Sequence, residues 1–157
     1  MEHSRELLLK KHWALLDVEF IRISSTHRCI RKLYILTKNG QSHMELEFLP
    51  CVPYSQLERK YQKSFNFCQR NIHRLRYNPR KYSPGCRQVL TLLKEFITNN
   101  SVELILYKGG SIEKDLCNDM NIMSFNIEHL HGLKKVSSHD PFVEVNNYFA
   151  QIMEMLK

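Results

Sequence analysis

An α/β fold, with one mixed five-stranded sheet flanked by helices, is predicted by three features of this chain. Its first third reads as three strands in a meander, with apolar and polar residues alternating about an Asn39-Gly40 turn. Its middle carries apolar residues at helical spacing, and its last third alternates short apolar runs with helical stretches that have start signals. Meander strands pair as antiparallel neighbours, and a later strand-helix-strand unit adds parallel strands to the same sheet, which places helices on its faces.

The first strand is Trp13 to Ile23, WALLDVEFIRI, whose apolar content suits burial on both faces. The second, IRKLYILTKNG, ends in the Asn39-Gly40 pair, a favoured two-residue hairpin turn. In the third, SHMELEFLP, Met44, Leu46 and Phe48 face one side and His43, Glu45 and Glu47 the other, and Pro50 and Pro53 close it. Ser55 and Glu58 form a capping box, and Leu57, Tyr61, Phe65, Cys68 and Ile72 trace one face of a helix that reaches roughly His73. RLRYNPRKYSPG is then a basic, proline-containing loop. Ser83-Pro84 starts a second helix as cap and first residue, with Val89, Leu90, Leu93, Phe96 and Ile97 as its buried stripe. Val102 to Tyr107, VELILY, is a short central strand between Asn99-Asn100 and Gly109-Gly110. Ser111 caps a short helix running to about Met120, and MSFNI is the last strand. Asp140-Pro141 opens a C-terminal helix whose inner face is Phe142, Val145, Phe149, Ile152, Met153 and Leu156.

The 157 residues, 43% hydrophobic and 25% charged, suit a single domain over residues 1–157, and no internal repeat or low-complexity tract divides them. No apolar run approaches the length of a membrane span, and MEHSRELLLKKHW mixes charges into its short apolar part, a poor signal peptide. The expectation is an intracellular protein, cytoplasmic or nuclear, with no membrane partner. Five cysteines (Cys29, Cys51, Cys68, Cys86, Cys117), odd in number and without a Cys-x-x-Cys, suit reduced thiols rather than a disulfide scaffold.

Asp17 and Glu19 are the residues that point to chemistry. Two apart in a strand, they project from one face a few ångströms from each other. Like charges so placed in apolar surroundings repel and lose solvation, so they require a cation, a shared proton or a strand end open to water. A metal centre meets that need, and a solvated strand end is the plainer alternative. Further acids stand at helix starts: Glu113 or Asp115 in SIEKDL, and Asp140 or Glu144 in HDPFVEV. A helix dipole favours acids at such positions without any ligand.

The order of elements and these acids resemble the DEDDh 3′-to-5′ exonucleases of the ribonuclease H-like superfamily, over nearly the whole chain but through short motifs. Asp17-Val18-Glu19 matches the family's Asp-x-Glu on the first strand. His139 with Glu144 five residues on matches its third motif, a His followed at that spacing by an Asp. NIHRLRYNPRKYSPGCRQVLTLLKEFI looks like the family's segment in which a proline-bearing loop leads into the helix before the fourth strand. The second motif departs: where family members carry an Asp behind a His-Asn pair, this chain has YKGGSIEKDL, with Glu113 the better match and Asp115 the other. The resemblance implies a ribonuclease H-like fold and two Mg²⁺ or Mn²⁺ ions held by Asp17, Glu19, Glu113 and Glu144. In it His139 takes the proton from water during phosphodiester hydrolysis. It equally admits a catalytically inactive relative that binds RNA or a protein partner.

Charge points the same way independently. Nine Lys or Arg and no acid lie between Arg59 and Arg87, leaving 14 basic against 16 acidic residues in the rest of the chain. Cations interleaved with tyrosines make a footprint for a phosphate backbone with stacking rings, on single-stranded nucleic acid and RNA by preference. Arg70, Arg74, Arg76, Tyr77, Arg80, Lys81, Tyr82 and Arg87 form that set, with Lys108 before the Gly109-Gly110 turn. A solvated helix face or an acidic protein partner would use the same charges. Cys117 with His129 and His131, or Cys68 with His73, lacks the paired spacing of a zinc finger. Lys108-Gly109-Gly110-Ser111 lacks the Walker spacing of a phosphate loop. Replacing Arg74, Arg76, Arg80 and Lys81 together with Ser is expected to leave thermal melting nearly unchanged and abolish binding of a labelled single strand; unaltered affinity would remove the groove.

Overall fold

In the computed structural model, which describes residues 2–22, 28–48, 57–63 and 86–157, the chain opens with α1 (Glu2–Lys10). It continues through β1 (Trp13–Arg22), β2 (Arg28–Thr37) and β3 (His43–Glu47). Then come α2 (Cys86–Asn99), β4 (Leu104–Tyr107), α3 (Ser111–Asp119), β5 (Met123–Asn126) and α4 (Pro141–Met155). The expected mixed five-stranded sheet is present, in the order β3-β2-β1-β4-β5. β1, β2 and β3 pair antiparallel, while β4 and β5 join β1 in parallel, so β2 alone runs against the others. Among the described residues no helix is long and apolar enough to cross a membrane.

Alternation along β1 divides the interior into two layers. Ala14, Leu16 and Val18 pack with Val89, Leu93 and Phe96 of α2 and with Ile112, Leu116 and Cys117 of α3. Trp13 and Leu15 turn the other way, onto Leu8 of α1 and Val145, Tyr148 and Ile152 of α4. Asp17 and Glu19 continue that second face. A bulge at Arg31 interrupts the β1/β2 register, since Glu19 pairs Lys32 while Phe20 pairs Ile30. Ile30 and Leu33, three apart, therefore both reach the α2/α3 layer.

Several sequence expectations change in detail. Helix α1 was not anticipated: its end is held by Lys38, whose Nζ donates to the carbonyls of Leu8, Leu9 and Lys11 at 2.7, 2.8 and 3.0 Å. Cations suit the carbonyl end of a helix, and Arg5 does the same for α4 by donating to Met155 and Lys157 carbonyls. Ser111 is not the cap of α3; Gly110 holds that position without a side-chain cap, and the Ser111 hydroxyl accepts from Arg28 at 3.1 Å. Asp140 does cap α4, accepting the Phe142 N–H at 3.0 Å, with Pro141 in the first turn. Phe142, placed on the inner face from sequence, is 46% exposed, and Tyr148 is buried there instead. The reduced-thiol expectation fails at Cys29, which is disulfide-bonded, whereas Cys117 is free and buried. Of the helix expected over 55–73, residues 59–63 are helical with Leu57 and Tyr61 buried, and the rest of it lies outside the described residues.

Leu104 is wholly buried on β4 against Trp13. A charge there has no partner and costs several kcal/mol, so Leu104→Asp is expected to abolish cooperative thermal unfolding in circular dichroism. A soluble, sharply melting variant would contradict this layout.

Candidate metal centre

The sheet opens where its direction of winding changes. From the end of β1 the chain turns to β2 on one side, and from the end of β4 it crosses through α3 to β5 on the other. In open α/β sheets the crevice beyond strand ends at such a point is the usual ligand site. Here β1 also outruns its neighbour: it pairs β4 only through Trp13, Ala14 and Leu15, although it continues to Arg22. The freed length of β1 carries Asp17 and Glu19.

Three carboxylates meet at this edge. Asp17, Glu19 and Glu144 of the first turn of α4 each offer an oxygen, and these oxygens lie within 4.8 Å of one another. Glu144 is brought in by Asp140 and Pro141, which start α4. The fourth acid, Glu113, sits in the first turn of α3 and is 3% exposed. Its Oε1 accepts the N–H of Val18 at 3.2 Å, replacing the sheet hydrogen bond that β4 no longer supplies. Gly110 makes room for its other oxygen, because a Cβ built there would stand 2.6 Å from Oε2.

Flanking contacts hold these acids in place. Arg28 ion-pairs with Asp115 and donates to Ser111, so it grips α3 on both sides of Glu113, with its guanidinium over the Phe20 ring. Lys32 reaches Asp140 Oδ1 at 3.2 Å and Glu45 at 3.7 Å, which ties the α4 cap to the sheet. Asn126 Oδ1 accepts from Gly109 and Glu128 backbone N–H groups at 3.0 and 3.1 Å, joining the ends of β4 and β5.

Electrostatically the cluster is short of positive charge. Burial, then the Asp17 charge and those of Glu113 and Asp140, push Glu19 up to about 8. Burial and Asp17 push Glu113 up to about 7, against hydrogen bonds and Arg28. Burial raises both Asp17 and Glu144, and the contact between their carboxyls lowers Asp17 while raising Glu144, which puts the proton of the pair on Glu144. Asp17 Oδ2 and Glu113 Oε2 are buried without a hydrogen-bond partner among the described residues. Carboxylate oxygens are hard donors, and the three that converge, from Asp17, Glu19 and Glu144, could hold a metal ion.

The remaining sequence candidates fall as follows. Asp115 is engaged by Arg28 and Asp140 by Lys32 and the α4 cap, so Glu113 and Glu144 are the acids that face Asp17. His139 is exposed, one residue before that cap, and stands outside the carboxylate cluster. Lys108 lines a cleft of about 50 Å³ with Asp17, Glu144 and Tyr148. Arg70, Arg74, Arg76, Tyr77, Arg80, Lys81 and Tyr82 lie outside the described residues, and Arg87 is placed by its backbone alone, in the first turn of α2. Cys117 is buried beneath Glu113, pushed up to about 12 by burial and then by that acid, while His129 and His131 are exposed. Sequence reasoning missed Arg28 and Gly110; the Gly109-Gly110 pair was a signal for close approach, whereas nothing local marks Arg28.

No protein-family model matches the chain, and no curated protein matches it.

Because Glu19 and Glu113 have folded-state values above the ordinary 4.5, the folded chain holds more protons than the unfolded one between about pH 4.5 and 8. Metal-free stability is therefore greatest on the acidic side and falls as pH rises through that window. The melting temperature should drop by roughly 5 °C or more from pH 5.5 to 8.5, at about 2–4 °C per kcal/mol for a chain of this size. Glu19→Gln should flatten the slope and melt higher at pH 8; a slope unchanged in the variant would show that the acids do not repel as described.

Proposed function

We propose that this chain is a ribonuclease H-like protein of DEDDh type that removes 3′-terminal nucleotides from single-stranded nucleic acid, RNA by preference. The observation that carries the reading is the convergence of Asp17, Glu19 and Glu144 within 4.8 Å at the open end of β1. Support comes also from the order of elements, a meander followed by β4, α3, β5 and α4, which is the order the family resemblance implies.

In this reading Asp17, Glu19 and Glu144 hold the cations, with Glu113 behind them. Bound Mg²⁺ or Mn²⁺ supplies Lewis-acid activation of water and stabilises the leaving oxygen. The chain's own part is to bring deprotonated oxygens together and to shed the protons that Glu144, beside Asp17, and Glu19 hold without metal. Glu113 fixes the backbone of Val18, between the two β1 ligands, so their spacing is held from behind. His139, the base that the family resemblance implies, stands exposed in the segment that leads into α4. The basic stretch from Arg70 to Arg87 guides the strand.

A second reading, an adaptor that binds strands without cutting them, is favoured by the exposure of His139 outside the cluster. One preparation separates the two. Mn²⁺ titration calorimetry on the wild type should give saturable binding that Asp17→Asn weakens by about 100-fold or more, the upper end of what outer-sphere changes typically cost. In the same preparation a 5′-labelled single strand should shorten stepwise. Metal binding without shortening selects the adaptor, and no metal binding rejects the centre itself.

A further inference from the structure

Lys108 stands where a structural counter-ion would be expected, yet it does not act as one. It follows β4 directly and shares the small cleft with Asp17 and Glu144, both of which feel its charge. A lysine that merely neutralised them would close to an ion pair, because nothing is gained by holding the charges apart in a half-dry cleft. Among the described residues Lys108 forms neither an ion pair nor a hydrogen bond. Its Nζ lies instead 5.6 Å from the centre of the Tyr148 ring. That ring cannot swing away, since the Tyr148 hydroxyl accepts the Val136 N–H at 2.9 Å and the residue is buried. On the other side, the Lys108 backbone is followed by Gly109 with φ of 75°, tied by its N–H to Asn126. The ammonium is thus held near the acids with its three donors uncommitted.

An uncommitted ammonium beside a divalent-cation centre opposes that cation. The arrangement becomes favourable only when an anion lies between the two positive charges. We propose that Lys108 is the phosphate-binding residue of this centre and makes metal and phosphoryl ligand bind cooperatively, the phosphate being taken up in the cleft that Lys108 lines with Asp17 and Glu144. This rests on the carboxylates holding a metal, as above, and adds that the centre is incomplete without its anion. Cation clamps on phosphoryl groups of this kind act by fixed charge and need no proton transfer.

Such coupling is reciprocal: phosphate tightens metal by the factor by which metal tightens phosphate, typically about 5–150-fold. The test titrates Mn²⁺ calorimetrically into wild type, Lys108→Met and Lys108→Arg, each with and without saturating adenosine 5′-monophosphate, with folding checked by circular dichroism. Wild type should bind Mn²⁺ about tenfold more tightly when the nucleotide is present. Lys108→Met should bind Mn²⁺ alone more tightly than wild type, having lost a repelling charge, and should show no gain from the nucleotide. Lys108→Arg should keep a gain. Equal Mn²⁺ affinity with and without nucleotide in wild type, or an undiminished gain in Lys108→Met, overturns the assignment while leaving the metal centre standing. Absence of Mn²⁺ binding in wild type overturns the centre and this inference together.

Discussion

Three carboxylates converge at one edge of the sheet with a fourth, Glu113, buried behind them, and the fold accepts their repulsion where β1 extends past β4. The extra length exposes backbone and side chains of β1 on one edge only. Glu113 then completes the hydrogen bonding of Val18, the bulge at Arg31 keeps Glu19 opposite Lys32, and Lys32 reaches across to the α4 cap. Each of these contacts serves to hold an acid where its charge is least welcome. Such arrangements are more common at functional sites than elsewhere, because a group kept in an unfavourable protonation state is ready to release or accept a proton or a metal.

Rigidity behind the cleft comes from cations placed on helix carbonyls. Lys38 fastens the end of α1 to the turn after β2, and Arg5 of α1 fastens the last carbonyls of α4. Trp13, wholly buried, donates its indole N–H to Leu8 and meets Phe149 of α4 edge to face at 6.0 Å. α1 and α4 are thereby clamped to the strand that bears Asp17, and Glu144 inherits that fixed position. Lys108 belongs to a different arrangement, a charge restrained by Tyr148 and the Gly109 turn rather than neutralised.

Much of the frame was legible beforehand because its causes are local. Period-two alternation marked β1 to β3, the Asn39-Gly40 pair marked the turn between β2 and β3, whose loop spans residues 38–42 and not two residues, and Asp140-Pro141 marked the start of α4. Less was legible where distant groups decide. α1 has only a short apolar stretch of its own and is completed by Lys38, Trp13 and the α4 terminus. Ser111 looked like a cap, but Arg28 claims its hydroxyl and Gly110 takes the position so that Glu113 can fold back. Phe142 matched the apolar spacing of α4, yet it packs edge-on against Tyr34 at the rim, 5.2 Å away, and remains open to water.

By itself the sequence determined the succession of strands and helices and placed each acid on an element, because periodicity, turn residues and helix starts act over a few neighbours. The tertiary structure alone decided which acids meet. Asp115 and Glu113, or Asp140 and Glu144, are equivalent along the chain, and they part only when Arg28 and Lys32, 87 and 108 residues away, engage one of each pair and leave the other facing Asp17. Charge interactions between distant elements depend on separation in space and on burial, and neither is written in the spacing of residues.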